Sequence, residues 1–221
     1  MSEADSLVSV RQALAPAIAE AAAFDGWSDA AICGAARDLG IAPDLALLAF
    51  ASHRGSRAMA MIAAWIAHVD ARMTQAVPAA DLAGLSVRAR IRRLVLARLD
   101  AITGREEALR RALAIMAMPQ NVAEALRMGW ATADAMWRQA GDTAADFNHY
   151  TKRATLGAIY AATLSHFASD TSEGKAETRA FLDRRIDGIM RFEKAKAGLL
   201  ASNAMHFSPG RFLGRLRYPV R

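Results

Sequence analysis

The sequence predicts an all-α fold, and three observations favour it. Alanine, leucine and arginine dominate the composition, and alanine and leucine are the residues that form helices most readily. Apolar residues recur every three or four positions along most of the chain, which is the spacing of one helix face. No segment alternates apolar and polar residues as a half-buried strand does, and runs of β-branched residues are absent. With 53% apolar and 23% charged residues, the 221-residue chain can bury a full core.

Turn and cap residues predict the bounds of the first three helices. Gly26 and Gly40 follow apolar periodic segments, as glycines do after helix C-termini. Ser28 or Asp29 can cap the second helix, and Pro43 suits the first turn of the third. The predicted helices are 10–24, 30–39 and 43–50.

Helical stripes continue through the rest of the chain. In the fifth predicted helix, Val87, Ile91, Leu94 and Val95 fall on one face. Pro78 and Pro119 lie just beyond the fourth and sixth helices, where a proline stops helix continuation. The remaining predicted helices are 57–75, 86–103, 105–118, 122–139, 147–167 and 178–200.

Charge is distributed unevenly, and this restricts the classes of partner. Residues 1–193 carry 22 basic and 22 acidic residues, so the whole net charge of +6 follows Glu193. A neutral body with a cationic end is a poor match to a protein that lies along DNA, and it suits a tail that meets an anionic surface. Basic and apolar residues alternate in this tail, as in interfacial membrane anchors. The predicted membrane-binding residues are Phe207, Arg211, Phe212, Leu213, Arg215, Leu216 and Arg217.

The sequence predicts a reducing compartment and a peripheral position on the membrane. Cys33 is the single cysteine, so no disulfide framework is possible. Apolar stretches are interrupted by charges before the length of a membrane span, and the first residues lack a signal-peptide core. We therefore expect a cytoplasmic protein, peripheral on the inner face of the membrane.

Catalytic and cofactor motifs are not found in the sequence. The five histidines are scattered one per predicted element, and no set of ligands has the spacing of a metal site. There is no nucleophile elbow, no phosphate-binding glycine loop and no dinucleotide fingerprint. We expect neither catalysis, nor a metal, nor a cofactor.

The first three predicted helices resemble the helix-turn-helix of the TetR regulators. The third helix would read DNA in that family, which requires hydrogen-bond donors and cations. Here it reads Asp44-Leu45-Ala46-Leu47-Leu48-Ala49-Phe50 and carries neither, so we expect a degenerate helix-turn-helix without nucleic acid. A ligand-responsive, TetR-type transcriptional regulator is the alternative interpretation.

The segment Gly141–Thr163, GDTAADFNHYTKRATLGAIYAAT, carries the most information. It gathers many hydrogen-bonding groups at the start of an apolar helix, which is typical of a recognition surface. Together with FLDRRIDGIM further on, it resembles the C-terminal half of the COQ9 family, accessory proteins of ubiquinone biosynthesis. The resemblance implies a TetR-like fold, a cavity for an isoprenoid lipid or ubiquinone precursor, and a surface that docks the ubiquinone-pathway hydroxylase.

Two further sets of site residues, beside the membrane-binding set, and three regions complete the prediction. The resemblance implies that the partner-docking residues include Asp146, Asn148, Tyr150, Lys152 and Arg153. We add His149 to this set, although it departs from the family pattern, which leads us to expect a second large aromatic residue there. Wide, adaptable side chains suit a prenyl chain, and the predicted lipid-binding residues are Met116, Trp130, Trp137, Tyr160, Leu164 and Phe167. The regions are a degenerate helix-turn-helix over 1–53, a lipid-binding body over 54–200 and a basic-aromatic tail over 201–221. TetR-like bodies commonly pair through C-terminal helices, so a homodimer is compatible with the sequence.

Overall fold

The computed structural model describes residues 3–51, 56–142 and 147–188, the side chains of 3–5, 147 and 148 excepted. Within these ranges the chain is helical and contains no strand, so the predicted all-α fold is confirmed. Two short 3-10 turns, Ala79–Leu82 and Glu173–Lys175, interrupt the α-helices. The helices are α1 Glu3–Asp25, α2 Asp29–Asp38, α3 Pro43–Ala49, α4 Arg57–Ala76, α5 Val87–Ile102, α6 Glu106–Met116, α7 Val122–Gln139, α8 Phe147–Ser169 and α9 over 176–188.

Two compact units divide the chain. The first is Met1–Leu182 and the second is Asp183–Arg221. Of the second unit the structure describes 183–188, which are helical. The predicted tail over 201–221 lies outside the described residues.

Helix α1 is longer than predicted, because it begins at Glu3 rather than at Val10. No glycine or proline lies between Glu3 and Val10, so nothing in the sequence stops the helix from including these first residues. The segment Ser6–Asp25 is also the one described helix that is long and apolar enough to cross a membrane, by length and composition alone. In the structure it contacts α2, α3, α4 and α6, and Leu14 and Ile18 are fully buried.

The turn between α2 and α3 contains a glycine in the left-handed backbone conformation. Gly40 has a φ of +66°, a conformation that costs other residues free energy, and Ile41 donates a backbone hydrogen bond to the Ala36 carbonyl at 2.8 Å. The turn places α3 against both α1 and α2. The first three helices therefore pack as one group.

Helices α4 to α8 form the body of the first unit, and tryptophans connect it to the N-terminal helices. The Trp27 indole N–H donates to the Ala108 carbonyl on α6 at 3.0 Å, and its ring lies 5.4 Å from that of Trp65 on α4. Helix α8 packs on α7, α6 and α5, and α4 packs on α5, α6 and α7. This arrangement brings one face of each of the five helices towards a shared interior.

Candidate functional site

The interior of the body contains a cavity of about 620 Å³. Side chains from α4, α5, α6, α7 and α8 line it, and nearly all of them are apolar. The volume is in the range of pockets that hold small molecules, which are mostly apolar with a few placed polar groups. Large apolar members of the lining include Ile62, Trp65, Met116, Leu126, Trp130 and Leu164.

Small residues on α8 create the space. Ala154, Gly157, Ala158 and Ala161 fall on one helix face by their three- and four-residue spacing, and all four line the cavity. Gly129 lines it from α7, and a Cβ on Gly157 would lie 3.9 Å from the Gly129 carbonyl oxygen. Because this face lacks long side chains, it leaves the interior partly unfilled.

One polar group of the lining is centred on Arg98, which is only 2% exposed. Its Nε donates to the Tyr160 hydroxyl at 3.0 Å, and its guanidinium carbon lies 5.0 Å from the centre of that ring. Its Nη1 pairs with the Asp70 carboxylate on α4. Thr132 on α7 is buried as well and lines the same cavity.

A second buried arginine, Arg153, connects the start of α8 to the end of α7. Its Nε donates to Asp134 Oδ1 at 2.5 Å, and its Nη1 donates to Asp142 Oδ2 and to the His149 carbonyl, both at 3.2 Å. Lys152 Nζ donates to Asp142 Oδ1 at 2.8 Å. The cluster holds the α7–α8 junction together from within.

The electrostatics of this cluster favour its ionised form. Burial, the largest single influence, would raise the pKa of Asp134, but hydrogen bonds from Arg153 and Arg138 hold that pKa below its usual value. Burial acts in the same direction on Asp142, and hydrogen bonds from Lys152 and Arg153 lower its pKa in turn. Both carboxylates are therefore charged at neutral pH.

The structure places four of the six predicted lipid-binding residues on the cavity wall. These are Met116, Trp130, Tyr160 and Leu164. Trp137 is not part of the wall, and its indole N–H donates to the Lys152 carbonyl at 3.1 Å. Phe167 is buried elsewhere, with Lys175 Nζ 4.9 Å from its ring centre.

The predicted docking residues separate into outward and inward positions. Tyr150 is 61% exposed, and its ring contacts those of His149 and Trp130 at centre distances of 5.2 and 6.0 Å. Lys152 is half-buried, whereas Arg153 is 2% exposed and is not brought to the surface with Tyr150. Asp146 and the side chain of Asn148 lie outside the described residues, as do all the predicted membrane-binding residues.

Sequence reasoning missed Arg98, Asp70 and Thr132. A signal for Arg98 was present, because it lies four residues from both Leu94 and Ile102 on the apolar stripe of α5. An arginine on a buried stripe requires a partner, which Asp70 supplies from another helix. That pairing depends on helix packing, so the sequence alone does not reveal it.

The described residues hold no group of three or more His, Cys, Asp or Glu side chains that could bind a metal. On α3, the exposed surface includes Leu45 and Leu48 rather than donors for base edges. The cavity and the adjoining Tyr150 surface are therefore the features that the described chain offers for a functional site.

Comparison with known proteins shows that the chain is similar to the COQ9 family. The sequence model of the COQ9 family matches residues 122–193. The chain is 32% identical over 172 residues to the rat protein named "Ubiquinone biosynthesis protein COQ9, mitochondrial", covering 75% of this chain and 54% of that one. It is 30% identical to the human protein of the same name, covering 75% and 52%. The chain spans about half the length of these curated relatives, and its resemblance to the COQ9 family is confirmed.

A solved structure supports the fold. The TetR transcriptional regulator from Nitrosomonas europaea aligns with a TM-score of 0.63 and 24% sequence identity. The alignment covers 80% of this chain and 95% of the regulator. The predicted TetR-like fold is confirmed.

Proposed function

We propose that this chain is a non-catalytic, lipid-binding accessory protein of ubiquinone biosynthesis. It presents a polyprenyl quinone precursor to a membrane-associated hydroxylase of that pathway. The observation that carries this proposal is the apolar cavity of about 620 Å³, in a chain similar to proteins named for ubiquinone biosynthesis.

The cavity suits a lipid that enters from one side. Leu126 is 70% exposed and Trp130 is partly exposed, yet both line the cavity, so the interior is continuous with an apolar surface. Exposed apolar patches next to a pocket mark sites of lipid or protein interaction. A prenyl chain buried there gains the free energy of removing apolar area from water, about 25 cal/mol per Å².

The docking surface lies next to this opening. Trp130 lines the cavity and also contacts the ring of the exposed Tyr150. A hydroxylase bound over Tyr150 would therefore meet the lipid where it leaves the cavity. Asp146, Asn148, His149 and Lys152 extend the proposed surface along the start of α8, and Arg153 supports it from inside.

Membrane attachment is assigned to the tail on sequence grounds. Phe207, Phe212, Leu213 and Leu216 alternate with Arg211, Arg215 and Arg217, and each cation near an anionic surface contributes about 1 kcal/mol. Deletion of residues 208–221 is expected to weaken flotation with anionic liposomes. Unchanged flotation of the shortened chain would assign membrane binding to another part of the protein.

Extraction of bound lipid from gently purified protein, followed by mass spectrometry, tests the proposed function directly. We expect a stoichiometric isoprenoid quinone or prenyl phenol. Gly157→Leu should remove it, because the new side chain occupies the cavity between α7 and α8. Ala131→Leu, at an exposed position of α7 that does not line the cavity, is the matched control and should retain the lipid.

Two results would contradict the proposal. One is a wild-type protein that comes out empty or with random phospholipid. The other is a Gly157→Leu variant that remains folded and carries as much lipid as the Ala131→Leu control. Either result would redirect attention to the TetR-type alternative and to a DNA mobility-shift assay.

A further inference from the structure

We propose that Arg98, Thr132 and Tyr160 form a polar subsite that binds the oxygen atoms of an uncharged lipid head group, with the lipid chain in the apolar remainder of the cavity. This inference rests on the proposed function, because it requires that the cavity binds a lipid. It adds the residues that select the head group and the direction in which the lipid lies.

Three hydrogen-bond donors in this part of the cavity lack an acceptor among the described residues. The Tyr160 oxygen accepts from Arg98 Nε at 3.0 Å, so the proton of the tyrosine hydroxyl remains available to donate. Arg98 uses Nη1 on Asp70, and its Nη2 donates to no described residue. Thr132 likewise has no hydrogen-bond partner in the part of the chain that the structure describes, although it is buried.

These donors belong to buried residues but face the space of the cavity. All three residues line the cavity and are at least nine-tenths buried. Among the described residues, the fully enclosed side-chain atoms that lack a partner are Ser28 Oγ, Arg57 Nε and Arg105 Nε, so the cavity donors instead face the cavity space, where a ligand can accept from them. Their arrangement in an otherwise apolar cavity therefore points to a ligand that carries acceptor oxygens at one end.

The charge around Arg98 selects an uncharged acceptor. Asp70 already pairs with the guanidinium, so the subsite offers donors without a net positive charge. A phosphate or carboxylate head group would meet the Asp70 carboxylate as a like charge. Carbonyl and ether oxygens, such as those of a quinone ring, accept from the donors without that repulsion.

Arg153 also lines the cavity, but its donors are used differently. Its Nε and Nη1 are bound to Asp134, Asp142 and the His149 carbonyl, and the two carboxylates compensate its charge. Arg153 therefore adds no net positive charge that would favour an anionic head group over an uncharged one.

Burial along the wall indicates how the lipid lies. The polar members Arg98, Thr132 and Tyr160 are buried, whereas the exposed members Leu126 and Trp130 are apolar. The head group therefore points inward, and the chain extends towards the apolar opening. A lipid in this orientation leaves the cavity chain first.

A pair of probes with the same decyl chain, of which one ring carries two carbonyl oxygens and the other none, tests the inference. Binding of 2-decyl-1,4-benzoquinone and of decylbenzene is measured by displacement of Nile red from the full chain. One hydrogen bond in a buried site changes affinity by about fivefold, so Thr132→Val should weaken quinone binding by about that factor. Decylbenzene has no acceptor, and its affinity should change by less than about twofold.

Two further variants make the test specific. Thr163→Val carries the same chemical change at a buried threonine that donates to the Ile159 carbonyl and does not line the cavity, so both affinities should stay at the wild-type level. Tyr160→Phe removes a second donor and should reproduce the selective loss of quinone binding. It serves as an independent check should Thr132→Val fold poorly.

The outcomes separate this inference from the proposed function. If both probes bind the wild-type protein equally and Thr132→Val and Tyr160→Phe change neither, the subsite is wrong while the lipid cavity stands. Tighter binding of decyl phosphate than of the quinone would also overturn it, in favour of an anionic head group. If neither decyl probe binds the wild-type protein, the proposed function itself fails.

Discussion

Arg98 and Arg153 are both 2% exposed, and each is compensated by aspartates from another helix or from the loop beside it. Bringing an ion pair into a protein interior costs desolvation free energy that the pair only partly recovers. Such pairs contribute little stability relative to apolar residues, but losing one partner leaves an uncompensated charge. In this protein the pairs fix positions: one holds the Arg98 donors at the cavity wall, and the other holds the start of α8 there.

We expect Arg153→Gln to lower the free energy of unfolding by about 3 kcal/mol at neutral pH. The substitution leaves Asp134 and Asp142 charged and mostly buried without the guanidinium that holds them. Urea unfolding followed by circular dichroism measures the change. Arg138→Gln is the matched control, because Arg138 pairs with the same Asp134 but its side chain is 75% exposed, and it should cost less than about 1 kcal/mol.

The deficit of Arg153→Gln should shrink in acid. The pKa values of Asp134 and Asp142 are lowered in the folded protein, so their stabilisation is present above the unfolded pKa of about 3.9. It is lost as pH falls through the folded pKa values, where wild type and variant both carry protonated carboxyls. A deficit that stays constant from pH 7 to pH 3, or a control that is equally destabilised, would contradict this account of the cluster.

The position of Arg153 could have been inferred from its sequence, and that of Asp134 could not. Arg153, Gly157, Tyr160 and Leu164 share one stripe of α8, and all four line the cavity. The polar cluster at the start of α8 nevertheless suggested one surface patch. Tyr150 lies three residues before Arg153, at the start of the same stripe, so periodicity predicts the inward position of Arg153 but not the exposure of Tyr150. Periodicity also does not reveal which acidic residue of the neighbouring helix accepts from Arg153.

At the scale of the element, turn and cap residues predicted most helix ends, and local hydrogen bonds of side chains determined the others. Helix α7 has its predicted bounds, and Ser56 and Ser86 cap α4 and α5 by accepting from backbone N–H groups at 3.2 and 3.3 Å. Ser28 occupies the corresponding position before α2, but its side chain accepts no capping hydrogen bond there. A serine before a helix thus predicts where the helix begins more reliably than it predicts the cap.

A single side chain, that of Asp170, orders the loop at the start of α9. Asp170 accepts hydrogen bonds from the backbone and the hydroxyl of both Ser172 and Thr178, at 2.5 to 2.8 Å. Burial would raise its pKa, yet these four bonds hold the pKa far below its usual value. They order the loop so that α9 begins at residue 176, before the predicted start at Thr178. The sequence predicted a helix over 178–200 but not the folded form of the loop before it.

At the scale of the whole molecule, periodicity predicted the order of helices, whereas the cavity was expected only from the family resemblance. Periodicity identifies which face of each helix turns inwards, so the all-α, TetR-like arrangement followed from the sequence and from the resemblance of its first helices. A cavity depends on how closely five such faces approach one another. The predicted cavity residues on the wall are the wide side chains Met116, Trp130, Tyr160 and Leu164. The small residues that leave the space were not predicted, and these are Ala154, Gly157, Ala158 and Ala161.

The cavity and the proposed docking surface meet at Trp130, so the proposal assigns partner binding and lipid transfer to the same part of the molecule. Tyr150 is exposed, contacts the Trp130 ring and makes no contribution to the cavity wall. Tyr150→Ala should therefore weaken binding of the purified hydroxylase by about tenfold or more, as truncation of an exposed aromatic anchor does. It should leave the free energy of unfolding within about 1 kcal/mol of wild type.

Surface plasmon resonance with the immobilised hydroxylase measures that affinity, and Phe24→Ala is the matched control. Phe24 is another exposed aromatic residue, at the end of α1, outside the proposed surface. Because truncating it removes a similar apolar area without touching the Tyr150 surface, hydroxylase binding should be retained. Equal affinities for Tyr150→Ala and wild type would move the docking site away from α8, while the lipid content of the same samples would report separately on the cavity.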